Sequence, residues 1–157
     1  MAKKFDSTER FITGDTRYGD HIVAKFINSV MKKGKKSVAE RTVYDAIDMV
    51  SKRAKNQDPL EVFLAAIENV KPVLEVKSRR VGGATYQVPV EVNRKRALSL
   101  AIRWILDSTR KRKGKPMRER LADELFDAFN MQGSAITTRE NTHKMADANK
   151  AFAHFAW

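Results

Sequence analysis

Apolar residues recur at intervals of three and four along most of this chain, the spacing that places side chains on one face of an α-helix. Three such stretches precede residue 71, and three follow residue 92. The positions on the predicted buried faces are Ile22, Val23, Phe26, Ile27 and Val30; Ala39, Val43, Ala46, Ile47 and Val50; Leu60, Phe63, Leu64, Ile67 and Val70; Leu98, Ala101, Ile102, Ile105 and Leu106; Met117, Leu121, Leu125 and Phe129; and, more loosely spaced, Ile136, His143, Ala146, Phe152 and Phe155. The pattern predicts six amphipathic helices.

Local signals mark where these helices begin and end. Side chains that can accept the first free backbone N–H groups precede several of them, and proline or glycine follows others. The predicted start signals are Ser37 with Glu40, Asp58 with Pro59, Asn93, Pro116, and Thr137 with Glu140. The predicted stop signals are Gly34, Pro72, Gly114 and Gly133.

Between the third and fourth helices the apolar spacing changes to two, which is the period of a β-strand. Two strand patterns meet at Gly82 and Gly83, and residues 85–92 alternate strictly. Because Pro89 has no N–H to donate within a sheet, its strand must lie at an edge, as both strands of a ribbon do. Residues 72–92 are therefore predicted to form a two-stranded β-ribbon. An isolated ribbon is only marginally stable, so its base should pack on the helices while its tip projects.

These patterns predict a mainly α fold: a six-helix single domain, residues 1–157, with a protruding β-ribbon between the third and fourth helices. The first 19 residues have no clear period and mix both signs of charge, so they are predicted to form an extended N-terminal arm that depends on a partner for order. The chain is 42% apolar and has no cysteine, so an ordinary core, without disulfides or thiolate metal sites, explains folding. No apolar run approaches the roughly 20 residues of a membrane span, and no secretion signal is evident, so we expect a soluble cytoplasmic protein.

Positive charge is in excess and is clustered. The chain has 31 Lys and Arg against 19 Asp and Glu, a formal net charge of +12. Lys32 to Lys36 carries four cations in five residues, residues 71–96 carry seven cations against two acids, and residues 103–120 carry eight against two. Evenly mixed positive and negative charges would keep the protein equally soluble. The clustering of positive charge therefore favours a polyanionic partner.

No motif for catalysis or metal binding is evident. The three histidines each stand alone, where packing or surface roles are the rule. Asp123, Glu124 and Asp127 lie among basic residues at spacings typical of ion pairing on a solvated helix face. We therefore predict that the protein is not an enzyme and has no cofactor and no metal.

The positions of the basic clusters favour structured RNA as the polyanion. Lys32 to Lys36, Arg94 to Arg96 and Arg110 to Lys115 are all predicted at helix junctions or at the ribbon base. The major groove of an RNA helix is too deep and narrow for helices to read, whereas loops and ribbons can follow its phosphates.

Two alternatives remain open at this level. A nucleoid-type or helix-turn-helix DNA binder would share the charge but would dimerise or prefer duplex DNA. An RNA-modifying enzyme would need a cofactor loop or a catalytic cluster. Competition between RNA and duplex DNA tests the first alternative, and a turnover assay tests the second.

Four stretches make the chain similar to a known family. They are GKKSVAE at 34–40, KSRRVGGATYQVPVEV at 77–92, LAIRWI at 100–105 and HKMADANKAFAHFAW at 143–157. From about Tyr18 to its end the chain closely resembles the family of bacterial small-subunit ribosomal protein seven. It departs from the family pattern in the arm, which is usually more basic and carries a Pro-Asp-Pro step, and at Asn93-Arg94, where an Arg-Pro pair is common.

The resemblance implies a six-helix domain with a protruding ribbon that binds the 3′ major domain of small-subunit ribosomal RNA and nucleates assembly of the subunit head. It implies that the ribbon tip, residues 78–85, and the last helix lie near exit-site transfer RNA and upstream messenger RNA. Ribosomal proteins nine and eleven of the small subunit are the implied protein neighbours. The free protein is expected to be monomeric.

Two sets of site residues follow from the charge clusters and the resemblance together. Those expected to contact ribosomal RNA are Lys3, Lys4, Arg10, Lys32, Lys33, Lys35, Lys36, Lys71, Lys77, Arg94, Lys95, Arg96, Arg110, Lys111, Arg112, Lys113, Lys115 and Arg118. Those expected near transfer or messenger RNA are Arg79, Arg80, Gly82, Gly83, Lys144, Lys150, His154 and Trp157. Within the second set, Arg79 and Arg80 are expected to flank the path of exiting transfer RNA.

Overall fold

The computed structural model of this chain describes residues 13–156, and in that range six α-helices enclose a shared apolar core. They are α1 (His21–Val30), α2 (Lys36–Arg53), α3 (Pro59–Val70), α4 (Arg94–Lys111), α5 (Met117–Phe129) and α6 (Gly133–Ala148). Strands β1 (Leu74–Val81) and β2 (Ala84–Glu91) lie between α3 and α4, and a 3-10 helix (Lys150–Phe155) follows α6. The predicted fold class, mainly helical with a ribbon between the third and fourth helices, is confirmed.

Most of the core consists of side chains whose helical spacing predicted their burial. Phe26 of α1, Ile47 of α2, Phe63 of α3, Ile105 of α4 and Leu121 of α5 are each at most 1% exposed. The rings of Phe26 and Phe63 meet edge to face with centroids 5.3 Å apart. That arrangement sets the positive edge of one ring against the negative face of the other.

Side-chain caps begin α3 and α4 at the predicted residues. The carboxylate of Asp58 accepts the N–H of Leu60 at 3.2 Å, and the amide oxygen of Asn93 accepts that of Arg96 at 2.9 Å. Asp20 caps α1 in the same way, accepting two backbone N–H groups at 2.7 and 2.9 Å. Each such cap stabilises its helix by about 1 kcal/mol, because the N–H groups it binds have no partner within the helix.

The predicted capping box of α2 is wrong. The N–H of Ala39 donates to the carbonyl of Lys35 at 3.3 Å, so Lys35 is the N-cap, and it makes no side-chain hydrogen bond. Ser37 lies inside the first turn and cannot act as the cap. Helix α2 begins before the predicted cap because the chain turns tightly just ahead of it, with φ of +52° at Lys33 and +72° at Gly34.

The predicted start of α6 at Thr137 is also wrong, because the helix begins at Gly133. No side chain of its own segment caps it. Glu124 of α5 does so instead, accepting the N–H of Ala135 at 2.9 Å. Gly133 was expected to end α5; it has φ of +92°, and a β-carbon there would lie only 2.9 Å from the β-carbon of Asp127. A glycine at this position therefore lets α5 and α6 approach closely.

Residues 13–19 form a turn packed on α2, so this part of the predicted arm is not extended. Asp15 accepts three backbone N–H groups of the turn and the hydroxyl of Tyr44. Burial alone would raise the pKa of Asp15, but the backbone donors and the Tyr44 hydroxyl outweigh it and hold the pKa below its ordinary value. Arg17 forms a bidentate ion pair with Asp48, in which Nη2 lies 2.8 Å from Oδ1 and Nη1 lies 2.9 Å from Oδ2.

The ribbon pairs both strands in antiparallel register along their whole length. Its tip residues Gly82 and Gly83 have φ of +57° and +87°, the positive values that a two-residue hairpin loop of type I′ requires at both positions. Pro89 lies in an edge strand, as predicted. At the base, His143 of α6 accepts the N–H of Val73 through Nε2 at 3.1 Å. The base is therefore docked on the helical body.

Candidate nucleic-acid interface

The junction between α1 and α2 lies beside the end of α4. Arg110 of α4 donates from Nη2 to the carbonyl of Ser29, in the last turn of α1, at 3.3 Å. Lys32, Lys35 and Arg110 line one groove of about 450 Å³, which we call the junction groove. Packing of α1 on α4 thus brings together two basic clusters that lie far apart in the sequence.

All four lysines of the junction, Lys32, Lys33, Lys35 and Lys36, are exposed. The turn that carries them is closed by a hydrogen bond from the N–H of Lys35 to the carbonyl of Lys32 at 3.1 Å. Holding like charges within one turn is electrostatically unfavourable, and a bound polyanion would offset that cost.

A row of arginines runs along α4. Arg96, Arg103 and Arg110 follow at intervals of seven residues, close to two helical turns, so they lie on one face about 10 Å apart. Arg103 and Arg110 also line a groove between α1 and α4 together with Lys25. This α4 stripe leads from the ribbon base to the junction groove. Arg103 was counted among the cations of residues 103–120, but neither it nor Lys25 was among the predicted contacts because neither stands in a run of cations. The seven-residue spacing of Arg103 from Arg96 and Arg110 was a usable signal.

The first turn of α4 carries Arg94, Lys95 and Arg96 and no acid. Each cation there is unfavourable by about 0.3–1 kcal/mol, because the N-terminus of a helix carries partial positive charge. Arg96 is partly compensated by Glu75 of β1, which is 8% exposed and lies 3.3 Å from Nη2 of Arg96. Helix stability does not explain this cluster, whereas a phosphate at the same place would be favourable.

Arg112 stabilises the fold. Its Nη2 lies 2.6 Å from carboxylate oxygens of both Glu124 and Asp127, and Glu124 is completely buried. Burial alone would lower the pKa of Arg112, but these two carboxylates outweigh it and keep the pKa above its ordinary value. The interpretation of Glu124 as a solvated surface acid is wrong, since it lies on the buried face of α5 between Leu121 and Leu125. The spacing of Glu124 from Leu121 and Leu125 could have predicted that it is buried.

The remaining predicted contact residues divide by their partners. Four are paired with carboxylates: Lys71 with Glu68, Lys77 with Glu75, Lys115 with Asp123, and Arg118 with Asp45. Lys111 and Lys113 are exposed beside the C-terminal end of α4, and Lys3, Lys4 and Arg10 lie outside the described residues. Surface ion pairs contribute little to stability, so these cations can exchange a carboxylate for a phosphate at small cost.

The C-terminal 3-10 helix packs on the outer half of the ribbon. The ring of Tyr86 lies 5.2 Å from that of Phe152 and 5.0 Å from that of Phe155, centroid to centroid. Arg79, directly opposite Tyr86 in the ribbon, donates from Nη1 to the carbonyl of Phe155. We call these contacts the C-terminal clasp. Phe152 and Phe155 were predicted on the buried face of the sixth helix, but they belong to this separate helix and cover the ribbon.

The clasp separates the two arginines that were predicted together near the tip. Arg79 is half-buried beneath it, whereas Arg80, one pair closer to the loop, is exposed. The part of the ribbon beyond the Arg79–Tyr86 pair is therefore the projecting tip. The tip is shorter than the predicted segment 78–85.

The other residues predicted at this end of the molecule lie on its surface. Lys144 on α6, and Lys150 and His154 in the 3-10 helix, are exposed. The His154 ring packs on Phe155 with centroids 4.1 Å apart. Trp157 lies outside the described residues.

Removing the 3-10 helix by ending the chain at Asn149 is expected to loosen the ribbon and leave the helical core intact. The truncation deletes two aromatic contacts to Tyr86, each contributing about 0.5–1.5 kcal/mol beyond its buried area. We expect backbone amides near Arg79 and Tyr86 to exchange with deuterium about tenfold faster, and those of α3 to be unchanged.

The full-length Lys144→Ala variant is the control, because it alters an exposed side chain of α6 and leaves the aromatic contacts of the clasp intact. Hydrogen exchange followed by mass spectrometry gives the comparison. Equal ribbon protection in the truncated and full-length chains would show that the clasp does not stabilise the ribbon.

Within residues 13–156 no helix has the length and apolarity to cross a membrane. In the same part of the chain no group of three or more His, Asp or Glu side chains is placed to hold a metal ion.

A helical body with cations at helix junctions, along one helix face and on a projecting ribbon is typical of proteins that bind folded RNA. The family model described as Ribosomal protein S7p/S5e matches residues 2–150. The chain belongs to this family of ribosomal proteins.

Similar curated proteins carry the name small ribosomal subunit protein uS7. The protein of Paracoccus denitrificans is 55% identical over 157 residues, covering 100% of both chains. That of Thermotoga neapolitana is 57% identical over 148 residues, covering 94% of this chain and 95% of the relative. That of Rhodopirellula baltica is 54% identical over 155 residues, covering 98% and 99%.

Family membership confirms the resemblance inferred from the four sequence stretches. The protein is a structural component of the small subunit of the cytoplasmic ribosome, and its family is not enzymatic. The alternative of an RNA-modifying enzyme is therefore excluded by family membership.

Proposed function

We propose that this protein binds the 3′ major domain of small-subunit ribosomal RNA directly and nucleates assembly of the subunit head. The observation that carries the proposal is the continuity of the junction groove with the α4 stripe. Arg110 lines both the junction groove and the groove between α1 and α4. One basic surface therefore extends across two helices and a loop, and it can fix the register of the protein on folded RNA through phosphates.

The proposed RNA contacts differ from the predicted set in two respects. Arg103 and Lys25 are added because they line the groove beside the α4 stripe, and Arg112 is omitted because it is paired with Glu124. The proposed set is Lys3, Lys4, Arg10, Lys25, Lys32, Lys33, Lys35, Lys36, Lys71, Lys77, Arg94, Lys95, Arg96, Arg103, Arg110, Lys111, Lys113, Lys115 and Arg118.

The opposite end of the molecule is proposed to lie near exit-site transfer RNA and messenger RNA. Arg80 carries the exposed charge of the ribbon tip, and Lys144 and Lys150 add exposed charge on α6 and the clasp. Arg79 acts by holding the clasp, so removal of Arg80 should affect transfer-RNA retention more directly.

Protein neighbours are proposed near the ribbon base and α6, where Val73 and Met145 expose 67% and 54% of their surfaces. A partner that covers these apolar side chains would remove them from water. Ribosomal proteins nine and eleven of the small subunit are the proposed neighbours in the ribosome, and the free protein is monomeric.

Titration of a transcript of the 3′ major domain tests the RNA-binding proposal. The protein should prefer this RNA to a duplex DNA of equal length. If it neutralises ~6–10 phosphates, its affinity should fall about a thousandfold or more between about 50 and 200 mM salt, because each contact releases condensed counterions. Replacing Lys35 and Lys36 by glutamine should make the salt slope shallower by about two.

The control removes the same charge elsewhere, through Lys52→Gln with Lys55→Gln. Lys52 lies in the last turn of α2, whose 18 residues span about 27 Å, and Lys55 follows just beyond its end. Their removal should leave the salt slope unchanged. Preference for duplex DNA would contradict the proposal, and an unchanged slope in the Lys35 and Lys36 variant would remove the junction from the interface.

A further inference from the structure

The junction groove is lined by apolar as well as basic side chains. Val30, Met31 and Met117 line it together with Val38, which is 59% exposed at its edge. Val38 follows Lys35 and Lys36 in the sequence, and packing within the fold does not cover it. The groove volume of about 450 Å³ lies in the range of clefts that bind small organic groups.

The charged side chains that line this groove are all basic. They are Lys32, Lys35, Arg110 and Arg120, and none of the lining residues is a carboxylate. The neighbouring groove between α1 and α4 includes Asp107 in its lining. Apolar side chains beside cations, without any carboxylate, complement a ligand that has both a flat, weakly polar part and a neighbouring anionic group.

We propose that the junction groove receives one unpaired nucleobase of the bound RNA, with the flanking phosphates on Lys35 and Arg110. This inference rests on the proposed function, since the base belongs to the RNA that the surrounding cations bind. Sequence-specific recognition of RNA mostly uses bases that are splayed out of loops and bulges and stacked on aromatic rings or Arg guanidinium planes. Here Val38 and Met117 supply apolar contacts, and Arg110 supplies a guanidinium plane.

RNA is favoured over an acidic protein segment because the groove continues into the α4 stripe through Arg110. An RNA strand whose phosphates follow the α4 stripe would bring its next bases to the junction groove. Phosphate contacts alone carry no sequence information, so a base held in the groove would let the protein select one loop or bulge. The groove is thus the selective part of the interface, and the stripe is the part that supplies affinity.

Filling the groove tests this proposal. Thr42 lines it, with its hydroxyl donating to the carbonyl of Val38, and Thr42→Phe places a ring in the space. Val38→Ser removes an apolar contact at an exposed position where the fold tolerates change. Thr137→Phe is the matched control, because Thr137 is an exposed helical threonine whose hydroxyl donates to the carbonyl of Gly133 on α6.

The probe is the transcript of the 3′ major domain. Hydroxyl-radical cleavage reports protection of its backbone, and dimethyl sulfate and carbodiimide report access to its base edges. With the wild-type protein we expect a backbone footprint and protection of at least one unpaired base inside it. Thr42→Phe should keep the backbone footprint, lose that base protection and bind about tenfold more weakly. Val38→Ser should reduce the same protection, and Thr137→Phe should leave it intact.

The outcomes separate this inference from the proposed function. Absence of any backbone footprint with the wild-type protein would overturn the proposed function. A footprint in which neither groove variant changes the protection of any base would overturn the nucleobase site alone, as expected if an acidic protein segment occupies the groove. If Thr42→Phe fails to fold, as judged by circular dichroism, Val38→Ser decides the result.

Discussion

Replacing Glu124 by alanine is expected to lower the free energy of unfolding by about 3 kcal/mol, measured by urea denaturation. Removing one partner of a buried ion pair leaves the other charge without compensation, which costs about 3–5 kcal/mol. The lower end applies here because Arg112 keeps Asp127 as a second partner and 31% of its side-chain surface is exposed. The same substitution removes the hydrogen-bond acceptor for the N–H of Ala135 at the start of α6.

Two further variants define the cause of this loss. Glu124→Gln keeps an oxygen that can accept from Ala135 and removes the charge, so it should cost less than alanine. Glu140→Ala removes an exposed acid of α6 and should change stability by no more than about 0.5 kcal/mol. A loss at Glu124 no larger than that at Glu140 would contradict the structural role of the buried carboxylate.

Replacing Arg103 and Arg110 together by glutamine is expected to weaken binding to the 3′ major domain about 100-fold with little change in melting temperature. A hydrogen bond to a charged group contributes about 1.5–3 kcal/mol, so losing two such contacts costs about 3 kcal/mol, which corresponds to about 100-fold. Both side chains are exposed, and Arg110 makes a long hydrogen bond to the carbonyl of Ser29 at 3.3 Å. Filter binding at fixed salt measures the loss.

The double variant Lys52→Gln with Lys55→Gln has the same net charge and serves as the control. It should retain nearly all affinity at the same salt, because those lysines lie outside both grooves. Equal losses in the two double variants would mean that total charge, and not the position of the α4 stripe, determines binding. The Glu124 and Arg103/Arg110 variants thus act on different properties, the first on stability and the second on affinity.

The sequence located the proposed RNA-binding surface only in part. Runs of lysine and arginine pointed to the junction and the end of α4, but they did not show that the two lie side by side. Arg103 was left out of the predicted contacts because it stands outside any run, and its alignment with Arg96 and Arg110 depends on the turn of the helix. Arg112 was included because it lies within a run, although its guanidinium binds Glu124 and Asp127.

Burial also distinguished two arginines that the sequence could not tell apart. Arg79 and Arg80 are neighbours on β1, but adjacent residues of a strand point to opposite faces of the ribbon. The 3-10 helix covers the face that carries Arg79 and Tyr86. Only Arg80 is therefore available for the role that the two were predicted to share.

The sequence by itself determined the elements of this protein. The spacing of apolar residues, the caps Asp58 and Asn93 and the Gly82-Gly83 turn are local features, and local hydrogen bonding and steric limits act on them directly. Only the tertiary structure decided that Glu124 caps α6, that Arg110 joins two basic clusters, and that the chain end covers the ribbon. Each of these contacts joins residues from different elements, so it depends on how the helices pack and not on any spacing along the chain.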